Sequence, residues 1–132
     1  MKEVRSFQTN RAPKPAGCYS QAVKAGDFLF TAGQLPIDPA SGEFVYGDVQ
    51  TQTTCVLDNL KAIVEDAGYS LKDVVKTTVF IRSIDQWPQV NEIYAGYFRD
   101  TIPPARSIVA GADIHFGLDI EVEAVVYTGA KE

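Results

Sequence analysis

The residues best equipped for chemistry stand near the C-terminal end. The run Pro103-Pro104-Ala105-Arg106-Ser107 carries an arginine at the start of a strand-forming stretch, and Glu121 follows fifteen residues after Arg106. If Arg106 and Glu121 share a face of neighbouring strands, a guanidinium and a carboxylate line one wall. A guanidinium fork suits a substrate carboxylate, because two parallel N–H donors fix its plane. A glutamate beside it holds or activates a water. A cross-strand Arg–Glu ion pair accounts for the same two residues without any ligand.

Other chemistries find little support. His115, in Ala112-Asp113-Ile114-His115, is the sole histidine, and Ser107 is the nearest conceivable nucleophile. Nothing around Ser107 resembles a nucleophile elbow, so His115 reads as a loop residue that caps or packs locally. Cys18 and Cys55 are too few for a disulfide framework or a zinc site, and no metal is expected. No glycine pattern cradles a phosphate or a dinucleotide.

Twelve basic against seventeen acidic side chains leave a formal charge of −5. That balance argues against nucleic acid or an anionic membrane as partner, since both need a basic footprint. The opening MKEVRSFQTN has no apolar core of a signal peptide, and no apolar run reaches the length of a membrane span. A cytoplasmic protein with reduced thiols is the expectation. With 132 residues, 45% of them hydrophobic and 22% charged, the chain reads as one domain over positions 1–132.

The elements that must position these groups can be read from periodicity. Residues 1–17, with Pro13 and Pro15, form an extended lead-in. Tyr19–Lys24 and Phe28–Ala32 flank the turn residues Ala25-Gly26-Asp27, which predicts a hairpin. Leu35–Gly47, with Pro36, Pro39 and Gly42, is an irregular loop. Asp48 is placed as N-cap of a helix whose apolar stripe runs through Val49, Val56, Leu57, Leu60, Ile63, Val64 and Ala67, with Gly68 just past its end. Val74–Ile81 is β-branched and aromatic, hence a strand. A second helix starts near Asp85, tolerates Pro88 in its first turn, and presents Val90, Ile93, Tyr94, Tyr97 and Phe98 as its apolar face. Ala105–Ala110 and Leu118–Tyr127 complete a β-β-α-β-α-β-β order, an α+β fold with both helices on one face of a single sheet.

Alternation in the last strand divides its residues. Leu118, Ile120, Val122, Ala124 and Val126 suit the face beneath the helices, whereas Asp119, Glu121 and Glu123 share the other with Val125 and Tyr127. Two helices cannot cover both sides, so the mixed face points to an oligomer.

Several segments in order resemble the Rid (reactive intermediate deaminase, YjgF-type) family. Ala16-Gly17-Cys18-Tyr19-Ser20-Gln21-Ala22 is similar to its G-P-Y-S-Q-A segment, and Ala32-Gly33-Gln34-Leu35-Pro36 to its S/T-G-Q-x-P. Asp58–Val64, Lys76–Phe80, Val90-Asn91-Glu92-Ile93-Tyr94, Pro104-Ala105-Arg106-Ser107 and Ile120–Ala124 continue the pattern across nearly the whole chain. The resemblance implies a chorismate-mutase-like fold and a homotrimer with clefts between subunits. It implies hydrolysis of 2-imino or enamino acids to 2-keto acids and ammonia without a cofactor, with 2-iminobutanoate and 2-iminopropanoate as substrates.

By the same resemblance Arg106 binds the substrate carboxylate, Glu121 places the attacking water and Tyr19 lines the cleft. Gly33 forms the cleft floor, Asn91 stands beside the ligand and Ile108 contributes backbone groups. A non-catalytic trimer sensing a 2-keto or amino acid would use the same Arg106 pocket, and ribonuclease or translation-inhibitor activity is a third possibility. The chain departs from the pattern where Cys18 replaces a proline, Ala32 a hydroxyl residue, and Ile114-His115 a common Leu-Pro. These departures bear on substrate range and leave Arg106 and Glu121 in place.

Overall fold

A computed structural model describes residues 3–129. Strands β1 (Val4–Phe7), β2 (Ala22–Ala25), β3 (Phe28–Thr31), β4 (Val74–Ile81), β5 (Ala105–Val109) and β6 (Ile120–Tyr127) form one sheet, in the order β1-β2-β3-β6-β4-β5. All neighbours are antiparallel except β4 and β5, which run parallel and are joined through a helix, as a parallel pair requires. Helices α1 (Val49–Asp66) and α2 (Trp87–Phe98) lie on one face of the sheet, as expected.

The sheet has one strand more than the sequence pattern suggests. Val4–Phe7 was expected as lead-in, yet it pairs with β2 in the register Val4↔Ala25 to Phe7↔Ala22. Its side chains are mostly exposed, so it carries no apolar alternation; main-chain pairing to an open edge makes it a strand. What returns the chain from β1 is Gln21, fully buried. Its Nε2 donates to the carbonyls of Thr9, Ala12 and Pro13, and its Oε1 accepts from the Thr9 amide.

Helix α1 begins where Asp48 accepts a hydrogen bond from the Thr51 amide at 2.7 Å, and Gly68 follows its end at φ 99°. Helix α2 starts two residues later than expected: a 3₁₀ turn over Ile84–Gln86, capped by Ser83, precedes Trp87. Beneath the helices Leu118, Ile120, Val122, Ala124 and Val126 are all buried, together with Val74, Val79 and Ile81 of β4. Burying large aliphatic side chains contributes about 1.5–3 kcal/mol each, so this stripe fixes the register of β6. Asp119 does not join Glu121 and Glu123 on the open face. It sits before the strand, bonded to Gln52 of α1 and to Arg82.

On the open face Phe28, Phe30 and Tyr127 form an exposed aromatic group, with ring centroids 5.7–6.3 Å apart. The carboxylates of Glu121 and Glu123 stand further along the same strand.

Candidate functional site

The sheet register decides what Arg106 and Glu121 can do together. Arg106 pairs with Thr77 of β4, and Thr77 points toward α2, where its hydroxyl meets the Tyr94 hydroxyl at 2.7 Å. Glu121 pairs with Phe80, three residues on from Thr77 and therefore on the opposite face. Strand β4 also separates β5 from β6. The shared wall proposed from spacing does not exist within one protomer: the guanidinium lies on the helix side and the carboxylate on the open side.

Two groups of residues result. Around Arg106, α2 supplies one stripe at i, i+4 and i+7: Trp87, Asn91 and Tyr94. The guanidinium carbon lies 4.6 Å from the centroid of the Trp87 ring and 5.0 Å from that of Tyr94. Arg106 Nη1 donates to Asn91 Oδ1 at 3.0 Å. No carboxylate among the described residues forms an ion pair with this guanidinium. Burial pushes the Tyr94 phenol pKa up, so the groups around the cation are all neutral at physiological pH. Ile108, next but one on β5, turns its side chain into the core, and its main chain runs along the sheet's edge.

Around Glu121 the backbone is close. A Cβ placed on Gly33 would collide with the Glu121 carboxyl group, lying 2.9 Å from Cδ and 3.1 Å from Cγ. Only glycine admits the carboxyl here. Gly33 is held against β6 by the neighbouring Gln34, whose amide donates to the Val122 carbonyl at 2.7 Å. A cavity of about 360 Å3 opens beside it, lined by Tyr19, Gly33, Leu35, His115 and Phe116 among others. Tyr19 is exposed, and its hydroxyl accepts from the Ala16 amide at 3.2 Å. Cys18, next to it, is exposed as well.

Burial raises the Glu121 pKa, Glu123 adds to the rise, and His115 offsets part of it. A carboxyl tuned upward is better matched to proton exchange near neutral pH. His115 packs locally as expected, its ring stacked on that of Phe116 at 4.7 Å, and it also lines this cavity. Its loop is set by Phe116, which adopts a left-handed φ of 60°. The Phe116 ring stacks on Phe44 at 4.4 Å and its carbonyl accepts from the Tyr46 hydroxyl at 2.9 Å. No local sequence signal reveals that fold-back, because its partners lie seventy residues away.

A wider groove of about 600 Å3 runs along the outer side of α1, past Arg11, Asp38, Cys55 and Asn59. Its one guanidinium is already paired with Asp66 at 2.6 Å, and Asn59 is engaged with the carbonyls of Leu35 and Ile37. It offers no unpaired cation to an anionic ligand, and the other charges on its wall, Asp38 and Asp58, are acidic. Among the described residues no group of histidines, cysteines and carboxylates is arranged to hold a metal ion, and no helix is long and apolar enough to cross a membrane.

Residues 9–128 match the family model described as Endoribonuclease L-PSP. The chain belongs to the Rid (YjgF-type) family. It is 52% identical over 127 residues to a RutC family protein of Pyrococcus horikoshii, covering 96% of this chain and 98% of that one. Its structure is similar to that of a Rid family protein of unknown function, YyfA from Yersinia pestis, with a TM-score of 0.92 at 40% identity over 95% of this chain and 99% of the other. It is also similar to E. coli TdcF solved with bound serine, with a TM-score of 0.88 at 38% identity over 93% and 98% of the two chains. The α+β architecture, two helices on a six-stranded mixed sheet, is that of these Rid family structures.

Proposed function

We propose that this Rid family protein hydrolyses reactive 2-imino and enamino acids, with 2-iminobutanoate and 2-iminopropanoate as substrates, at sites formed between the subunits of a cytoplasmic homotrimer. The observation that carries the reading is Arg106: a guanidinium without a carboxylate partner among the described residues, held by neutral groups. Such a cation is suited to a small carboxylate. That a similar fold, TdcF, holds an amino acid supports a ligand of this size.

In the proposed reaction Arg106 grips the substrate carboxylate through its remaining N–H groups, and Asn91 fixes the guanidinium. The protonated imine is already electrophilic, so orientation and a placed water supply most of the catalysis. A water held by Glu121 attacks the imine carbon, forming a C–O bond as one proton passes to Glu121. That proton returns to the nitrogen; the C–N bond breaks as the C–OH oxygen forms the C=O bond, its proton passes through Glu121 to the departing ammonia, and a 2-keto acid and ammonium leave. Tyr19 closes the cavity beside this water, Gly33 gives the carboxyl its space, and the main chain at Ile108 lines the other side.

These groups lie on opposite faces of the sheet, so a site that uses both must join two copies. The open face carries Phe28, Phe30 and Tyr127, and exposed aromatic patches of this kind mark interaction surfaces. Cyclic symmetry then repeats the junction at every subunit boundary. The test is ammonia release from 2-iminobutanoate generated in situ by a threonine dehydratase. Acceleration above the spontaneous rate supports the deaminase. Tight binding of 2-oxobutanoate with no acceleration supports a sensor, and RNA cleavage alone would return the reading to a ribonuclease, against the net charge of −5.

A further inference from the structure

Arginine brings four rotatable stem bonds to any site, and an unrestrained guanidinium loses that freedom when a ligand binds. In this protein the restraint is present beforehand. Trp87 and Tyr94 stand two turns apart on α2, about 10 Å along the axis, and the guanidinium carbon lies within 5.0 Å of both ring centroids. Asn91, on the same stripe between them, takes one N–H of Nη1.

Each ring is itself fixed. Tyr94 is buried, and its hydroxyl is bonded to Thr77 Oγ1, the residue paired with Arg106 across β4 and β5. Trp87 opens α2 directly before Pro88, whose ring locks its own φ. It also follows a turn in which Ser83 Oγ accepts from the Asp85 amide while Gln86 Oε1 accepts from the Ser83 amide, both at 3.2 Å. The rings are part of the frame.

We propose that Trp87 and Tyr94 are positioning residues for Arg106: they orient the guanidinium before a ligand arrives and leave its N–H edge, not its faces, to receive a planar carboxylate. The proposal rests on the reading of Arg106 as the carboxylate clamp. It adds a selectivity: a carboxylate lies in the guanidinium plane, whereas a tetrahedral sulfonate or phosphonate places an oxygen out of that plane, toward a ring.

The experiment compares wild type, Trp87→Leu, Trp87→Phe and Tyr94→Phe as intact oligomers. Three quantities are read: calorimetric Kd for 2-oxobutanoate and its sulfonate analogue, KM against kcat for 2-iminobutanoate, and the Arg106 Nε–H resonance by NMR. Loss of one exposed cation–π contact corresponds to about a two- to fivefold weakening. Trp87→Leu should therefore raise Kd and KM by roughly that factor, with kcat changed less, and narrow the preference for carboxylate over sulfonate. Trp87→Phe keeps a ring face and should stay within about twofold of wild type. Tyr94→Phe keeps the ring but frees it from Thr77 and should fall between. The Arg106 resonance, shifted by the rings in wild type, should move toward the value of a free arginine in Trp87→Leu alone.

A folded Trp87→Leu protein with unchanged Kd and an unchanged Arg106 resonance overturns the proposal. If Trp87→Leu does not fold, Trp87→Met, unbranched and better able to fill an irregular gap yet equally without a ring, carries the same comparison. A wild-type protein that binds no 2-keto acid counts against the clamp reading, and the Arg106 resonance then decides the positioning role by itself.

Discussion

Gly33→Ala offers a perturbation whose effect can be worked from the structure. The added Cβ would lie 2.9 Å from Glu121 Cδ and 3.1 Å from Cγ, against an ordinary carbon–carbon contact of about 3.5–4.0 Å. Glu121 Oε2 lies nearer still, so the carboxyl must swing or retreat by roughly 1 Å or more, judged from ordinary contact distances. Gly33 has no left-handed φ, so alanine meets no backbone strain there. The displaced atoms are the end of a flexible side chain, and the fold should absorb the change. A water placed by that carboxyl should not, because about 1 Å of misplacement at a reacting centre reduces rates by about a hundredfold. Gly33→Ala is therefore expected to lower kcat by roughly 10- to 100-fold with little change in thermal midpoint. Ammonia release from 2-iminobutanoate, run beside thermal unfolding at the same pH, measures both. Full turnover in a folded Gly33→Ala protein would show that the position of the Glu121 carboxyl is immaterial to the reaction.

Other expectations follow from the same geometry. Burial raises the Glu121 pKa in the folded protein, so its ionised form is disfavoured there; that penalty is absent below the unfolded pKa and complete above the folded one. Glu121→Gln should thus raise the thermal midpoint relative to wild type at pH 7–8, with the gain fading as pH falls below about 4, measured by unfolding across pH. Gln21→Ala leaves the buried carbonyls of Ala12 and its neighbours without their donor and should destabilise the protein by about 1–3 kcal/mol in a denaturant titration. Burial pushes the Cys55 thiol up to about 11, leaving about one part in a thousand as thiolate at pH 8. Mass spectrometry after alkylation should find Cys18 modified and Cys55 spared, with turnover falling as Cys18 is labelled; unchanged turnover at full modification would place that thiol away from the cavity mouth.

Much of this was legible in the chain because local rules and burial agree. The stripe of α1, its Asp48 cap and Gly68, and the alternation of β6 each follow from side-chain period, and the structure keeps them. Where partners are distant, the sequence is mute. Strand β1 has no apolar pattern of its own and exists because β2 offers an edge. The separation of Arg106 from Glu121 depends on β4 inserting between their strands and on a three-residue offset along it, neither of which spacing reveals. Tyr94 reads as core from its period, and it is buried; its second task, beside Arg106, emerges only when β5 is laid against α2. His115 and Phe116 needed the contacts with Phe44 and Tyr46 to be seen at the cavity.

The central claim is that one active site takes Arg106 from one subunit and Glu121 from another. Arg106→Ala and Glu121→Ala, each expected to be nearly inactive alone, can be mixed in equal amounts under conditions where subunit exchange is verified by native mass spectrometry. Random exchange gives each boundary an even chance of an intact half from either side, so about a quarter of wild-type ammonia release should return. A site contained within one chain would always carry one lesion, and no activity recovered from fully exchanged protein would contradict the claim.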